Sequence, residues 1–232
     1  MAKITWDNVT ERLYETGTSK GVLSVIDASG VNGTSEGWDG LIGVTVSPDG
    51  AEPNDLYANN GIYLTMRSKE NTKGTIRAYT YPDSFAACDG SKEIISGVHV
   101  KQQTRASFNL AWSTILGNDT QKEAYGETIH LVWNATASPS ERAYETMNAD
   151  PDAIELSWDF EAAAVGLDDA EFEDIQPTAY VTVNTVDANP AFLTWLKETL
   201  YGTDETEPEF PTLEEFLQQA MLQDETPVVP EG

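Results

Sequence analysis

The sequence predicts a mainly β fold, with two packed antiparallel sheets arranged as a sandwich or barrel, a flanking helix and a C-terminal helix. The first reason is the period-two alternation of apolar and polar residues in several runs of the chain. The second is that helical periodicity appears only after residue 189. The third is size, because 232 residues, of which 40% are hydrophobic, can bury a substantial core.

The clearest strand pattern covers residues 154–160, where Leu156, Trp158 and Phe160 share one face with Ile154. The intervening polar residues share the other face, which is typical of a half-buried antiparallel strand. Further runs also predict strands, at residues 22–26, 41–47, 62–66, 75–79, 108–112, 129–133 and 178–185. Seven or eight such strands fit a sandwich or a barrel.

Two helices are predicted near the end of the chain. Asn189 and Pro190 supply an N-cap and a proline at the first helical position, and Gly202 ends a helix over residues 190–201. Thr212 and Glu215 form a capping box for a second helix. The second helix carries an apolar stripe that can dock on the chain's own core or on a neighbouring subunit, and the sequence leaves both possibilities open.

The chain shows no compositional boundary before about residue 203. We therefore predict one β domain over residues 1–202, then an acidic linker, a short amphipathic helix and a flexible tail over residues 203–232. Residues 27–39 and 48–60 are predicted to be long loops. Long ordered loops are usually functional or interfacial.

The net charge of −26 excludes several classes of partner. A chain this acidic repels nucleic-acid phosphates and anionic membrane surfaces. The N-terminus lacks the apolar segment of a signal peptide, so we expect the protein to be made and folded in a cytoplasm. Cys88 is the only cysteine, and its apolar neighbours favour a buried structural thiol.

The sequence offers little for catalysis or metal binding, and we expect no enzyme activity, cofactor or metal. Glu155 and Asp159 share a strand face, but four residues of strand place them about 13 Å apart, beyond the reach of a glycosidase pair. The acidic run at residues 168–174 lacks the spacing of a calcium loop, which favours a solvated loop. His99 and His130 lie in separate strand-like runs and would meet only by chance.

The tryptophans divide into two groups. Trp112, Trp133 and Trp158 are in phase with aliphatic residues, which is the core position of a strand. Trp6 and Trp38 fall in terminal or loop segments and are predicted to contact another subunit.

Several stretches together resemble the major tail protein, the tail-tube subunit, of long-tailed bacteriophages with non-contractile tails. They are ITWDNVTERLYETGTSKGVL, GAEPNDLYANN, AYTYPDSFAACDG, GVHVKQQTRASFNLAWSTILGND, HLVWNATASPSERAYETMN followed by IELSWDF, and LYGTDE. Their order and spacing are also similar to that family. The resemblance extends to about residue 207, beyond which the acidic C-terminal segment is less typical.

The resemblance implies the tail-tube fold and a structural virion protein without catalytic or cofactor residues. It implies hexameric rings that stack into a hollow tube, with sheets joined between subunits. The implied partners are further copies of the chain, a tape measure protein inside the tube, and terminator and baseplate proteins at its ends. DNA passes through such a tube without specific binding, so the negative charge is expected to keep DNA from adhering to the wall.

By position, the loop over residues 48–60 corresponds to the family's contact between adjacent rings. Its candidate contact residues are Pro48, Asp49, Gly50, Glu52, Pro53, Asn54, Asp55 and Tyr57, and further subunit contacts are predicted at Trp6, Trp38, Phe216 and Leu217. A carbohydrate-binding or adhesin-like module is the alternative function, because six tryptophans on a β scaffold suit sugar stacking. A hydrolase that uses Glu155 and Asp159 is a third hypothesis.

Overall fold

The computed structural model describes residues 6–9, 11–50, 52–140, 142–144, 146, 153–167, 172 and 175–224. The strands in this part of the chain are β1 (Leu13–Val25), β2 (Glu36–Trp38), β3 (Leu41–Asp49), β4 (Pro53–Ala58), β5 (Gly61–Arg67), β6 (Asn71–Ala78), β7 (Lys92–Ile95), β8 (Val98–Val100), β9 (Phe108–Asn118), β10 (Lys122–Pro139), β11 (Leu156–Ala162) and β12 (Tyr180–Asn184). The helices are α1 (Pro190–Tyr201) and α2 (Leu213–Asp224), and a 3₁₀ helix covers Asp83–Ala87.

Eight strands form one antiparallel sheet in the order β2-β1-β9-β10-β11-β6-β3, with β12 beside β10. β4 pairs with β5, and β7 pairs with β8, as separate two-stranded hairpins. The fold class predicted from the sequence, mainly β with antiparallel strands and flanking helices, is confirmed. All the strands predicted from alternation are present, although several are longer than their apolar runs.

The main sheet curves so that its two ends approach each other. Two residues connect β2 at one end of the sheet to β3 at the other. The Leu41 side chain reaches the backbone of Gly21 in β1, where an added Cβ would lie 3.1 Å from Leu41. β10 also bends at Asn134, which has a φ of 52°, so its first half pairs with β12 and its second half with β11.

Each face of the sheet buries its own apolar cluster. The inner core lies on the concave face and is rich in aromatic rings, including Trp38, Phe85, Phe108, Trp112, Trp158 and Phe160. The helix-side core lies between β1, β9, β10 and β12 and the two helices, and includes Val22, Leu131, Trp133, Phe192, Leu196 and Phe216. Successive residues of β9 and β10 point to different cores, so the central strands are buried on both faces.

Both helices begin as the sequence predicts. The Asn189 side chain accepts a hydrogen bond from the Ala191 amide, 2.9 Å away, and caps α1. The Thr212 hydroxyl accepts a hydrogen bond from the Glu215 amide, and the Glu215 carboxylate accepts one from the Thr212 amide, which together form a capping box. α2 docks on the chain's own core, because Phe216 packs on Trp133 and the Trp133 indole donates to the Pro211 carbonyl at 2.9 Å.

Candidate interaction surfaces

The β4–β5 hairpin is the largest departure from the predicted loops. Residues 48–60 were predicted to form a loop, but β3 extends through Asp49 and β4 begins at Pro53. The prediction of an irregular loop is therefore wrong, and the segment is half of a hairpin. The polar turn residues concealed the strand, because Leu56 and Tyr57 are the only large apolar residues between Pro53 and Ala58.

The β4–β5 hairpin exposes apolar side chains that a lone two-stranded ribbon cannot bury. Leu56 lies opposite Leu64, and Met66 lies two residues further along the same face of β5. These three side chains keep 40%, 50% and 53% of their surface exposed. The other face is partly polar, and there the Thr65 hydroxyl donates to the Asp55 carboxylate at 2.6 Å. Ile62, Tyr63 and Tyr57 near the turn are even more exposed.

The hairpin leaves the sheet through a narrow neck. Asp49 and Asn71 are the last cross-strand partners of β3 and β6. Gly50 follows with a φ of 111°, and a Cβ at this position would lie 2.4 Å from the Lys69 carbonyl oxygen. Glycine is therefore required, because the two backbones of the neck nearly touch.

The structure locates each predicted loop-contact residue. Pro48 and Asp49 end β3, Gly50 forms the neck, and Glu52 is exposed just before β4. Pro53, Asn54, Asp55 and Tyr57 belong to β4. All eight therefore lie in or at the base of one projecting feature, and their role as contacts between rings stays a prediction.

Trp38 was predicted to contact another subunit, but the structure places its side chain within the chain's own core, and the contact stays a prediction. Trp38 ends the short strand β2 and is only 4% exposed. Its ring packs on Phe85 at 4.7 Å, and its indole nitrogen donates to the Thr80 carbonyl at 2.9 Å. The surrounding glycines made this segment resemble a loop, whereas Trp38 in fact closes one end of the inner core.

The C-terminal contact residues are also used within the chain. Phe216 is 3% exposed and packs on Phe192 and Trp133, so it is unavailable as the predicted subunit contact. Leu217 is partly buried against the same helix-side core. Trp6 remains available, because 77% of its surface is exposed.

A second projecting hairpin, β7–β8, was not predicted from the sequence. Its aliphatic residues Ile94, Ile95 and Val98 are 53–68% exposed. The signal was present in the sequence, since Ser96-Gly97 is a turn pair between two short apolar runs. Few strand residues flank that turn, and for this reason the segment gave no clear alternation.

The base of the β7–β8 hairpin is fixed by the buried carboxylate of Asp89. This carboxylate accepts hydrogen bonds from the Trp158 indole at 2.7 Å, Lys101 at 3.0 Å and Arg142 at 3.2 Å. Its side chain is only 2% exposed. The charge is thus compensated by two cations, and Asp89 joins the hairpin to the inner core.

In the part of the chain that the structure describes, the main sheet has unpaired edges at β1, β3 and β12, of which β12 pairs with β10 alone. β2 covers only Gly21–Leu23 of β1, which leaves residues 13–20 without a strand on that side. β3 pairs with β6 on one side and has no strand on the other. The β1 edge is interrupted by bulges near Gly17 and Lys20, a feature that discourages indiscriminate pairing.

His130 lies in a stacked aromatic cluster. Its ring lies parallel to Trp112, with centroids 5.0 Å apart, and to Tyr180. One ring nitrogen contacts the Tyr180 hydroxyl at 2.7 Å, and the other contacts Thr114 at 2.9 Å and the Glu15 carboxylate at 3.2 Å. Burial lowers the pKa of His130, in opposition to Glu15, so burial favours the neutral imidazole.

The remaining candidates for chemistry have structural partners. Glu155 pairs with Arg77 at 3.1 Å, and Asp159 accepts a hydrogen bond from the Thr75 hydroxyl at 2.7 Å, on an exposed strand face. Cys88 is fully buried, as predicted, and burial raises its pKa to about 12. Among the described residues, no cluster of three metal-ligating side chains occurs.

Two features of the sequence lie wholly or mostly outside the described residues. Apart from the buried Phe172, the acidic run at residues 168–174 lies outside the described residues, and so does the tail after Asp224. In the described part of the chain, no helix has the length and apolar character needed to cross a membrane.

Comparisons with known proteins give weak structural similarities. No family model and no curated protein matches the chain. A chain from the sheath–tube complex of an extracellular contractile injection system, PVC, aligns over 71% of this chain and 88% of its own length, at 14% identity and a TM-score of 0.34. A chain of the anti-feeding prophage cap aligns with 79% of this chain and 99% of its own, at 13% identity and a TM-score of 0.35. A chain of the anti-feeding prophage baseplate gives 8% identity and a TM-score of 0.34.

Proposed function

We propose that this chain is the structural subunit of a phage tail tube. Copies join into hexameric rings, and the rings stack into a hollow tube that encloses a tape measure protein and later conducts DNA. The single observation that carries the proposal is the β4–β5 hairpin, whose apolar face has no cover within the described chain. The sequence resemblance to tail-tube subunits supplies the form of the assembly.

A two-stranded ribbon with no core is marginal in water, and exposed contiguous apolar surface marks an interaction site. Leu56, Leu64 and Met66 nevertheless lie on one face of a hairpin that stands away from the sheet. A subunit that stacks on another copy buries this face, whereas a monomer leaves it in water.

Lateral contacts between copies have a separate candidate. The free edges of β1 and β3 offer unpaired backbone groups, and joining such edges in a closed ring removes them from water. Ring closure and stacking would then use different surfaces of the same chain. This separation of surfaces makes the two contacts independently testable.

The alternative function, a carbohydrate-binding module, requires several exposed aromatic rings on one face. Trp38, Trp112, Trp133 and Trp158 are at most 4% exposed, and Trp195 is partly buried. Trp6 is the one exposed tryptophan of the described residues. No observation on the described surface favours sugar binding over assembly.

Excision of the β4–β5 hairpin tests the proposal. Because Asp49 and Asn71 are cross-strand partners, an Asn-Gly turn can replace residues 50–70 without disturbing the sheet. We expect the variant to keep the tryptophan fluorescence and circular dichroism of the folded chain but to form no stacked rings in electron micrographs. Tubes with unchanged ring spacing would refute the role of the hairpin.

A further inference from the structure

A groove between β2 and the C-terminal turn of α1 has the features of a docking site. Its volume is about 530 Å³, and Val22, Leu200 and Pro208 provide apolar lining. Gly37 lies on this surface as well, and an added Cβ there would meet no atom within 4 Å. The groove is therefore open at Gly37, where a side chain would have occupied part of it.

The groove wall contains an unsatisfied polar group. The Ser35 side chain is 3% exposed, and its hydroxyl has no hydrogen-bond partner within the described part of the chain. The Ser35 amide is satisfied by the Pro208 carbonyl at 3.2 Å. Buried hydroxyls are rarely left without a partner, so Ser35 points to an incoming group.

The charges around the groove favour a basic partner. Lys20 and Lys197 also line it, but both bind Glu127 at 2.6 Å. Glu36 and Asp39 are exposed at the β2 side and form no ion pair within the described residues. Three more exposed carboxylates, Asp204, Glu205 and Glu207, immediately precede Pro208 in the chain. The net charge around the groove is therefore negative.

The β7–β8 hairpin and the segment that follows it to residue 105 have complementary properties. Residues 92–105 contain three of the 13 basic side chains, Lys92, Lys101 and Arg105, and one acidic side chain, in a chain of net charge −26. Lys92 and Arg105 are exposed and have no ion pair among the described residues, whereas Lys101 binds Asp89. The hairpin tip carries the cross-strand pair Ile95–Val98, which is small, aliphatic and exposed.

We propose that the β7–β8 hairpin of one copy inserts its Ile95–Val98 tip into the β2–α1 groove of a second copy. Lys92, at the base of this hairpin, then faces Glu36 and Asp39 on the second copy, and a polar group of the tip satisfies Ser35. The β4–β5 hairpin fits this groove less well, because its turn carries the bulky Tyr57 and Tyr63 and it has no cation before Arg67. This contact specifies the proposed self-assembly by naming the surfaces that meet.

Site-directed crosslinking tests the contact in the full-length chain. Ile95→Cys and Gly37→Cys are made in separate preparations, mixed at assembly concentration and treated with a short bismaleimide. Cys88 should not react with the bismaleimide, because it is fully buried. We expect a product of twice the 25.4 kDa subunit mass that requires both variants. Tyr57→Cys mixed with Gly37→Cys is the matched control, and its yield should be clearly lower, because Tyr57 lies on the other hairpin, away from the proposed contact.

Charge reversal provides a second readout. Lys92→Glu, added to the Ile95→Cys chain, should lower the crosslinking yield by about fivefold, the effect of one surface ion pair at low salt. Asp39→Lys in the Gly37→Cys chain should restore the yield, and neither charge change should matter in 1 M salt, where the screening length is about 3 Å.

The outcomes separate this inference from the proposed function. If the wild-type chain assembles but the Ile95→Cys and Gly37→Cys yield equals that of the Tyr57→Cys control, the groove contact is wrong and the tube proposal stands. If neither assembly nor crosslinking occurs at high concentration, and the chain is also absent from the tails of assembled virions, both are overturned.

Discussion

Removing the apolar face of the β4–β5 hairpin should weaken assembly and leave the fold intact. The change is Leu64→Ser with Met66→Ser, two neighbours on the exposed face. Full burial of such a side chain is worth about 1.5–3 kcal/mol. Since 50% of Leu64 and 53% of Met66 remain to be buried, the pair should contribute about 1.5–3 kcal/mol to each subunit contact. The association constant should therefore fall by about 10-fold to 150-fold.

Sedimentation velocity over a concentration series measures this loss directly. The matched control is Val31→Ser, which removes an exposed aliphatic side chain from a loop outside both hairpins. The midpoint of urea unfolding should change little in all variants, because none of these side chains lies in either core. Unchanged association of the double variant, or an equal loss in the Val31 control, would contradict the role assigned to the hairpin.

Three further predictions concern the chain itself. Asp89→Ala should lower the free energy of unfolding by about 3–5 kcal/mol, because it leaves Lys101, Arg142 and the Trp158 indole without their buried partner. Asp159→Ala, on the exposed face of its strand, should lower it by less than about 1 kcal/mol, and urea unfolding at low protein concentration compares the two variants. Gly74→Ala should destabilise the chain by about 1–3 kcal/mol, since its Cβ would lie 2.2 Å from the Thr45 carbonyl oxygen and 2.5 Å from the Phe160 ring. The Cβ of Gly43→Ala would meet no atom within 4 Å, so this control should be tolerated, and thermal unfolding of the two variants tests the difference. Burial opposes the ionisation of Glu127, but Lys197 and Lys20 outweigh it and lower the pKa of this carboxyl group. Its contribution to stability is therefore complete above the ordinary pKa of 4.5 and is lost as the pH falls through the lower pKa of the folded chain. Unfolding measured from pH 7 to pH 3 should be less pH-dependent for Glu127→Gln than for the wild-type chain, and parallel profiles would show that the two lysines have no such effect.

The core strands could be predicted from the sequence because the same faces of each strand are buried along its length. Trp112, Trp133 and Trp158 are buried, as their phase with aliphatic neighbours indicated. The same reasoning placed Asn189 and Thr212 at the starts of the two helices, where short-range hydrogen bonds decide the structure. Such features depend on residues a few positions apart, and the sequence displays them directly.

The interaction surfaces could not be predicted in the same way. Ile62, Leu64 and Met66 alternate as regularly as a buried strand, yet all three are exposed, because periodicity does not reveal whether the covering surface belongs to the same chain. Trp38 shows the opposite failure. Its segment has the composition of a loop, and only the pairing of three residues of β2 with β1 places the ring in the inner core.

The hollow tube is the central claim, and electron microscopy of the purified full-length chain at high concentration tests it most directly. We expect rings with six-fold symmetry and an open centre, stacked into tubes, together with loss of stacking when the β4–β5 hairpin is excised. A wild-type chain that stays monomeric in solution and is also absent from the tails of assembled virions would contradict it.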